Sequence, residues 1–153
     1  MTGWLLDASV LLELRSANPD PKVAAWSDAQ PRESLFLSEA TIAAIRHRCE
    51  RRSAPELRTE IGVWLDQSLR PWFAGRVLPV TEEIVLESMR LRRQRGATVG
   101  HTGRSDLLLA ATARVHALTL CARSIRAYLD LGVPAFTPWR RVTDPPDPAD
   151  PSP

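Results

Sequence analysis

Five short apolar runs recur along this 153-residue sequence, and each of the first four is followed by residues spaced as on a helix. Trp4–Leu6, Ser34–Leu37, Arg76–Val80, Leu118–Cys121 and Val133–Phe136 are too short to stand as helices and read as buried strands. Helical spacing predicts Ser9–Arg15, a segment begun by Pro21, a helix capped by Ser38, a long helix opened by Pro55 and perturbed at Pro71, a helix from Thr81 toward Arg95, Asp106–His116, and Ile125–Leu129. Strands alternating with helices constrain the chain to an α/β fold with a parallel sheet covered on both faces. Gly96 to Gly103 reads as a glycine-bearing loop, with Thr102 or Ser105 capping the helix after it. That helix is apolar nearly all round through Leu107–Ala113, the pattern of a deeply buried helix. Pro145 to Pro153 alternates proline with aspartate and small residues, which suits a solvated, extended tail over 141–153. The remaining 1–140 is long enough for one domain with a substantial core.

Composition excludes more than it selects. Hydrophobic residues make up 44% and charged residues 25%, ordinary for a globular domain, and the net charge of +2 is too small to argue for nucleic acid by itself. Lys22 is the only lysine beside 19 arginines. Arginine suits bidentate phosphate contacts, although a GC-rich coding sequence gives the same bias. Cys49 and Cys121 lack metal-ligand spacing and read as thiols of a reducing compartment. No tripartite leader opens the sequence, and no apolar run approaches the ~20 residues of a membrane span. The expectation is a cytoplasmic protein.

The chemistry-bearing residues are sparse. Asp7 ends the first strand, at the sheet edge where α/β proteins bind ligands. It also precedes a helix that it can cap, so a structural role competes with a functional one. Asp106 enters an apolar helix in its first turn, where the helix dipole favours negative charge. Two such carboxylates gathered at one sheet edge can hold Mg²⁺ or Mn²⁺, activate water and neutralise phosphoryl charge. The arginine runs Arg46, Arg48, Arg51, Arg52 and Arg90, Arg92, Arg93, Arg95 read as solvated helix faces unless they flank the acids, where they would track a nucleic-acid backbone. His47 and His116 read as a surface and a turn histidine, while His101 sits beside Arg104 in the glycine-bearing loop. Trp64, Trp72 and Phe73 read as core or as anchors of a partner groove.

Taken in order, Leu5-Leu6-Asp7-Ala8-Ser9-Val10-Leu11-Leu12-Glu13-Leu14, Leu37-Ser38-Glu39-Ala40-Thr41-Ile42, Ser105-Asp106-Leu107-Leu108-Leu109-Ala110-Ala111-Thr112-Ala113, His116–Leu120, Arg123, Gly132-Val133-Pro134 and Pro138-Trp139 resemble PIN-domain proteins, in particular VapC toxins of type II toxin–antitoxin pairs. The resemblance spans about residues 4–139. It implies a three-layer α/β/α sandwich with a central parallel sheet of four to five strands. It further implies a Mg²⁺-dependent endoribonuclease (Mn²⁺ as a substitute) with a VapB-like antitoxin, an RNA substrate and a homodimeric state. Asp7 and Asp106 match the family's first and third acids, with Ser9, Arg123 and Ser124 as supporting residues.

The family's glutamate after the second strand falls on Ala44, its fourth acidic or amide position on Ser124, and a further frequent aspartate on Ala127. Glu39, five residues before Ala44, lies about 140° away round a helix. The resemblance therefore leaves a second expectation open, an inert or impaired PIN-fold protein that binds RNA or antitoxin without cutting.

Overall fold

The computed structural model describes residues 3–52, 54–95 and 103–140. The chain runs β1 (Trp4–Leu6), α1 (Ala8–Arg15), α2 (Pro21–Ala29), β2 (Leu35–Ser38), α3 (Glu39–Arg52), α4 (Pro55–Trp64), α5 (Arg70–Trp72), β3 (Val77–Leu78), α6 (Glu82–Arg95), α7 (Arg104–Val115), β4 (Thr119–Cys121), α8 (Arg126–Asp130) and β5 (Ala135–Phe136). Every strand pairing is parallel, and the order across the sheet is β3-β2-β1-β4-β5. The α/β expectation, with its five parallel strands, is borne out.

The period-two alternation of β1 divides the interior. Leu5 joins one cluster, with Leu120 and Ala122 of the neighbouring strand segment and with Ile84, Leu91, Leu109 and Leu131 from the later helices. Leu6 and Cys121 join the other, with Val10, Leu11, Val23, Ile42, Ile45, Leu65 and Phe73 from the earlier helices. The sheet is thus the middle layer of a three-layer sandwich, as two-sided burial of parallel strands requires. Helix α7 buries Leu107, Leu109, Ala110, Ala111, Thr112 and Ala113, in keeping with its apolar sequence. Thr112 lies in this core because its hydroxyl donates to the Leu108 carbonyl at 2.6 Å.

Four features differ from the sequence reading. The third strand stops at Leu78, and the fifth starts only at Ala135. Pro79 and Pro134 lie just beyond those limits, and a proline has no N–H to give a ladder. The helix opened by Pro55 is interrupted by a π-turn over Leu65–Leu69, in which the Arg70 N–H bonds the Leu65 carbonyl. The widened turn accommodates Pro71, which cannot donate an i→i−4 bond. Helix α7 begins at Arg104 with Gly103 as N-cap, so Ser105 lies inside its first turn and is not the cap. Thr102, His101, the loop expected over Gly96–Thr102 and the tail expected over 141–153 lie outside the described residues. Among the described residues, no helix is long and apolar enough to cross a membrane.

Candidate active site

Asp7 follows β1 in extended backbone (φ −88°, ψ 172°) and caps α1, so its carboxylate turns back over the helix start. Its Oδ1 accepts from the Ser9 N–H at 2.6 Å and from the Ser9 hydroxyl. The Ser9 Oγ in turn accepts from the Arg123 N–H at 3.0 Å, which links the end of β1 to the turn after β4. The Asp7 N–H donates to the Cys121 carbonyl at 3.0 Å, fixing the backbone of the acid itself. The capping role and the sheet-edge position anticipated for Asp7 therefore coexist in one residue.

Asp106, in the first turn of α7, lies across from it. Both acids line a cavity of about 1030 Å³ together with Ser9, Thr41, Ala44, His47, Arg48, Arg51, Arg104 and Ser105. Burial pushes the Asp7 carboxyl above its usual range, the Ser9 hydrogen bonds oppose that shift, and the nearby Asp106 charge adds to it. Tyr128, the buried residue of α8, donates its hydroxyl to Asp106 Oδ1 at 3.3 Å. Desolvation, with the charges of Asp7 and Asp106 behind it, keeps that phenol protonated and so a donor. The sequence reading did not include Tyr128. No local motif marks it, because its partner lies 22 residues earlier.

Ala44 lies in the cavity wall, where its methyl group stands in the place of the expected glutamate. Glu39 does not substitute for it, since both of its oxygens are held by Arg70, at 2.7 and 2.9 Å. Glu50 is exposed and is not among the lining residues. Of the supporting residues, Ser9 lines the cavity. Arg123 contributes its backbone N–H to Ser9 while its guanidinium stacks over Trp139 at 5.4 Å. Ser124 is exposed and outside the lining.

Among the described residues, no group of three or more His, Cys, Asp or Glu side chains gathers as a metal cluster. Two carboxylates with an adjacent hydroxyl remain. That set fits a hard cation such as Mg²⁺, which is commonly held by one or two carboxylates with water and substrate phosphate filling the other positions. It does not fit a soft or borderline ion, for which thiolate or imidazole ligands are needed. Cys121 is buried, and its thiol is pushed up by desolvation and by Asp7.

A second concavity shares no lining residue with the first. Leu11, Leu14, Trp64, Leu69, Trp72 and Phe73 line an apolar groove of about 260 Å³ between α1, α2 and the α4–α5 segment.

Comparison with known proteins follows the same geography. The family model described as PIN domain matches residues 4–123, from β1 through the turn that carries Arg123. Toxin FitB of Neisseria gonorrhoeae is 30% identical over 135 residues, covering 88% of this chain and 97% of FitB. VapC ribonuclease Y4jK of Sinorhizobium fredii is 33% identical over 135 residues, covering 88% of this chain and 96% of that protein. The crystal structure of FitAcB from Neisseria gonorrhoeae superposes with a TM-score of 0.79 at 30% identity, covering 90% of this chain and 99% of that chain. VapBC2 from Rickettsia felis, bound to a promoter DNA fragment, shares the fold with a TM-score of 0.67 at 14% identity.

Proposed function

Since this chain belongs to the PIN-domain family, we propose that it is the toxin of a VapBC-type toxin–antitoxin pair, an endoribonuclease using Mg²⁺ or Mn²⁺ at Asp7 and Asp106. The observation that carries the reading is the convergence of these two acids, 99 residues apart in the sequence, on one cavity. The similar proteins point the same way, one being a toxin and the other a VapC ribonuclease.

A divalent ion at this position supplies charge neutralisation at a phosphate and a nucleophile at neutral pH. The chain's own residues prepare for it. The Ser9 hydroxyl and N–H fix one oxygen of Asp7, a residue of the cavity lining. Tyr128 holds Asp106 by one oxygen in the same manner. Raising the Asp7 carboxyl by burial favours a bound cation, because a positive charge relieves both the desolvation and the repulsion from Asp106.

FitB is solved as FitAB on a DNA fragment, which supports a VapB-like antitoxin as the partner here. Its proposed seat is the apolar groove of Trp64, Trp72 and Phe73, where an amphipathic helix finds aromatic anchors. A homodimer is part of the same reading.

One observation favours a second reading, a PIN-fold protein impaired in cleavage that still binds RNA or antitoxin. Ala44 leaves the cavity with two carboxylates, and the nearest glutamate of α3 is locked to Arg70. RNA cleavage with Mg²⁺ or Mn²⁺ by the wild type, Asp7→Asn and Ala44→Glu separates the two. Under the first reading the wild type cuts and Asp7→Asn loses at least about 100-fold, the scale of a removed charge-stabilising group. Cleavage confined to Ala44→Glu supports the impaired reading, and cleavage indifferent to both changes removes the site from these residues.

A further inference from the structure

The cavity is acidic only at its floor. Arg48 and Arg51 of α3 and Arg104 of α7 are exposed and line its walls, with His47 beside them. Among the described residues none of these three arginines is held in an ion pair with an acid. Two other members of the arginine runs, Arg46 and Arg90, are engaged elsewhere. Arg46, in the same run as Arg48, pairs with Asp66 outside the cavity. Arg90 binds Glu87 at 3.2 Å, and Arg114 reaches the same carboxylate at 3.6 Å. Helix periodicity explains the division, since Ala44, His47, Arg48 and Arg51 recur at three- and four-residue steps and share a face, which Arg46 does not.

We infer that Arg48 and Arg51, with Arg104 opposite, form a phosphate clamp that holds the sugar–phosphate backbone of single-stranded nucleic acid across the acidic floor without any metal. This inference rests on the nuclease reading for the identity of the floor, and on geometry for the clamp. Along α3 the two guanidinium-bearing positions lie about 6 and 10 Å from Ala44 by the helical rise. Arg104, two residues before Asp106 in the first turn of α7, lines the same cavity. Three exposed cations thus share one trench with the two carboxylates, an arrangement that draws in a polyanion. The small side chains of Ala40, Ala43 and Ala44 widen that trench on the α3 side. A single strand suits it, because the acids are recessed and a flexible strand can lower one phosphate to them. With the family's glutamate replaced by Ala44, the clamp also compensates for a weaker metal contribution to substrate binding.

The test is binding of a short fluorescein-labelled single-stranded RNA by anisotropy in EDTA, across a salt series, with the full chain. The wild type should bind without metal. Arg48→Ala/Arg51→Ala should bind roughly tenfold more weakly, with the slope of log K against log salt reduced by about 1.4. Arg48→Lys/Arg51→Lys should keep most of the slope, because it is a charge count, and circular dichroism shows whether either double variant is folded. Arg46→Ala should leave affinity and slope unchanged. A wild-type slope in the double alanine variant would overturn the clamp, as would an equal loss in Arg46→Ala. Retained RNA binding with lost capture of an acidic peptide would also overturn it, identifying the wall as a protein-docking face. The two proposals fail separately. RNA bound through Arg48 and Arg51 but never cut would sink the nuclease and leave the clamp standing. Cleavage with an unchanged KM in the double alanine variant would do the reverse.

Discussion

Asp7 combines two duties that pull its energetics in opposite directions. As the N-cap of α1 it satisfies the Ser9 N–H, a contribution of about 1 kcal/mol in comparable helices. As a half-buried carboxylate facing Asp106 it is held above the usual aspartate range, first by desolvation and then by that neighbouring charge. The folded protein therefore binds this proton more tightly than the unfolded chain does. Stability falls as pH rises from the unfolded pKa toward the folded one, and the cost is fully present above the latter. Asparagine keeps the cap and removes the charge. In EDTA at pH 7, Asp7→Asn should melt above the wild type by differential scanning calorimetry, with the gap closing as pH falls through that window. A lower melting temperature for Asp7→Asn at pH 7 would mean that the carboxylate stabilises the metal-free fold. At this scale the sequence identified Asp7 and Asp106, because each sits where an apolar element begins or ends. Tyr128 escaped notice because a buried tyrosine in a short helix carries no local sign of what its hydroxyl meets.

The elements follow local rules, with one exception at the end of α7. The Leu118 N–H reaches the Ala113 carbonyl at 2.8 Å and the Ala117 N–H reaches Arg114 at 3.3 Å, the bonds of a Schellman cap. The residue that must then turn left-handed is Ala117, at φ 53°, a position that favours glycine. Ala117→Gly should therefore raise stability by about 1 kcal/mol, read as a higher urea midpoint with an unchanged m-value. A lower midpoint would show that chain entropy in the unfolded state outweighs the relieved strain. Strand limits were less legible than helix starts. Runs of apolar residues mark where a strand can lie, but the ladder ends where Pro79 and Pro134 cannot donate.

At the scale of the whole molecule, two concavities of different chemistry share no lining residue. The polar cavity opens at the carboxyl ends of β1 and β2, as expected for an open parallel sheet. The aromatic groove is lined from the helices packed on the Leu6 side. Trp72 is 41% exposed there, a large apolar surface to leave in water. Under the proposed toxin reading, Trp72→Ala should weaken binding of a VapB-like antitoxin by about 30-fold or more by calorimetry, while the RNA cleavage proposed for the free protein stays at the wild-type rate. Antitoxin affinity that ignores this change would place the partner on another face.

By itself the sequence determined the alternation of strands and helices, the burial of α7 and the two acids at element ends, since all three follow from spacing along the chain. Through Ala44 and Ser124, the family resemblance also implied a reduced ligand set. Only the tertiary structure decided which residues share the cavity with Asp7 and Asp106. That required a crossover sheet to bring β1, α3 and α7 to one edge. It separated Arg48 and Arg51 from Arg46 within a single basic run, committed Glu39 to Arg70, and set the Tyr128 hydroxyl against Asp106. Such pairings depend on distances between residues remote in sequence, and those distances are fixed by packing on the sheet, not by local propensity.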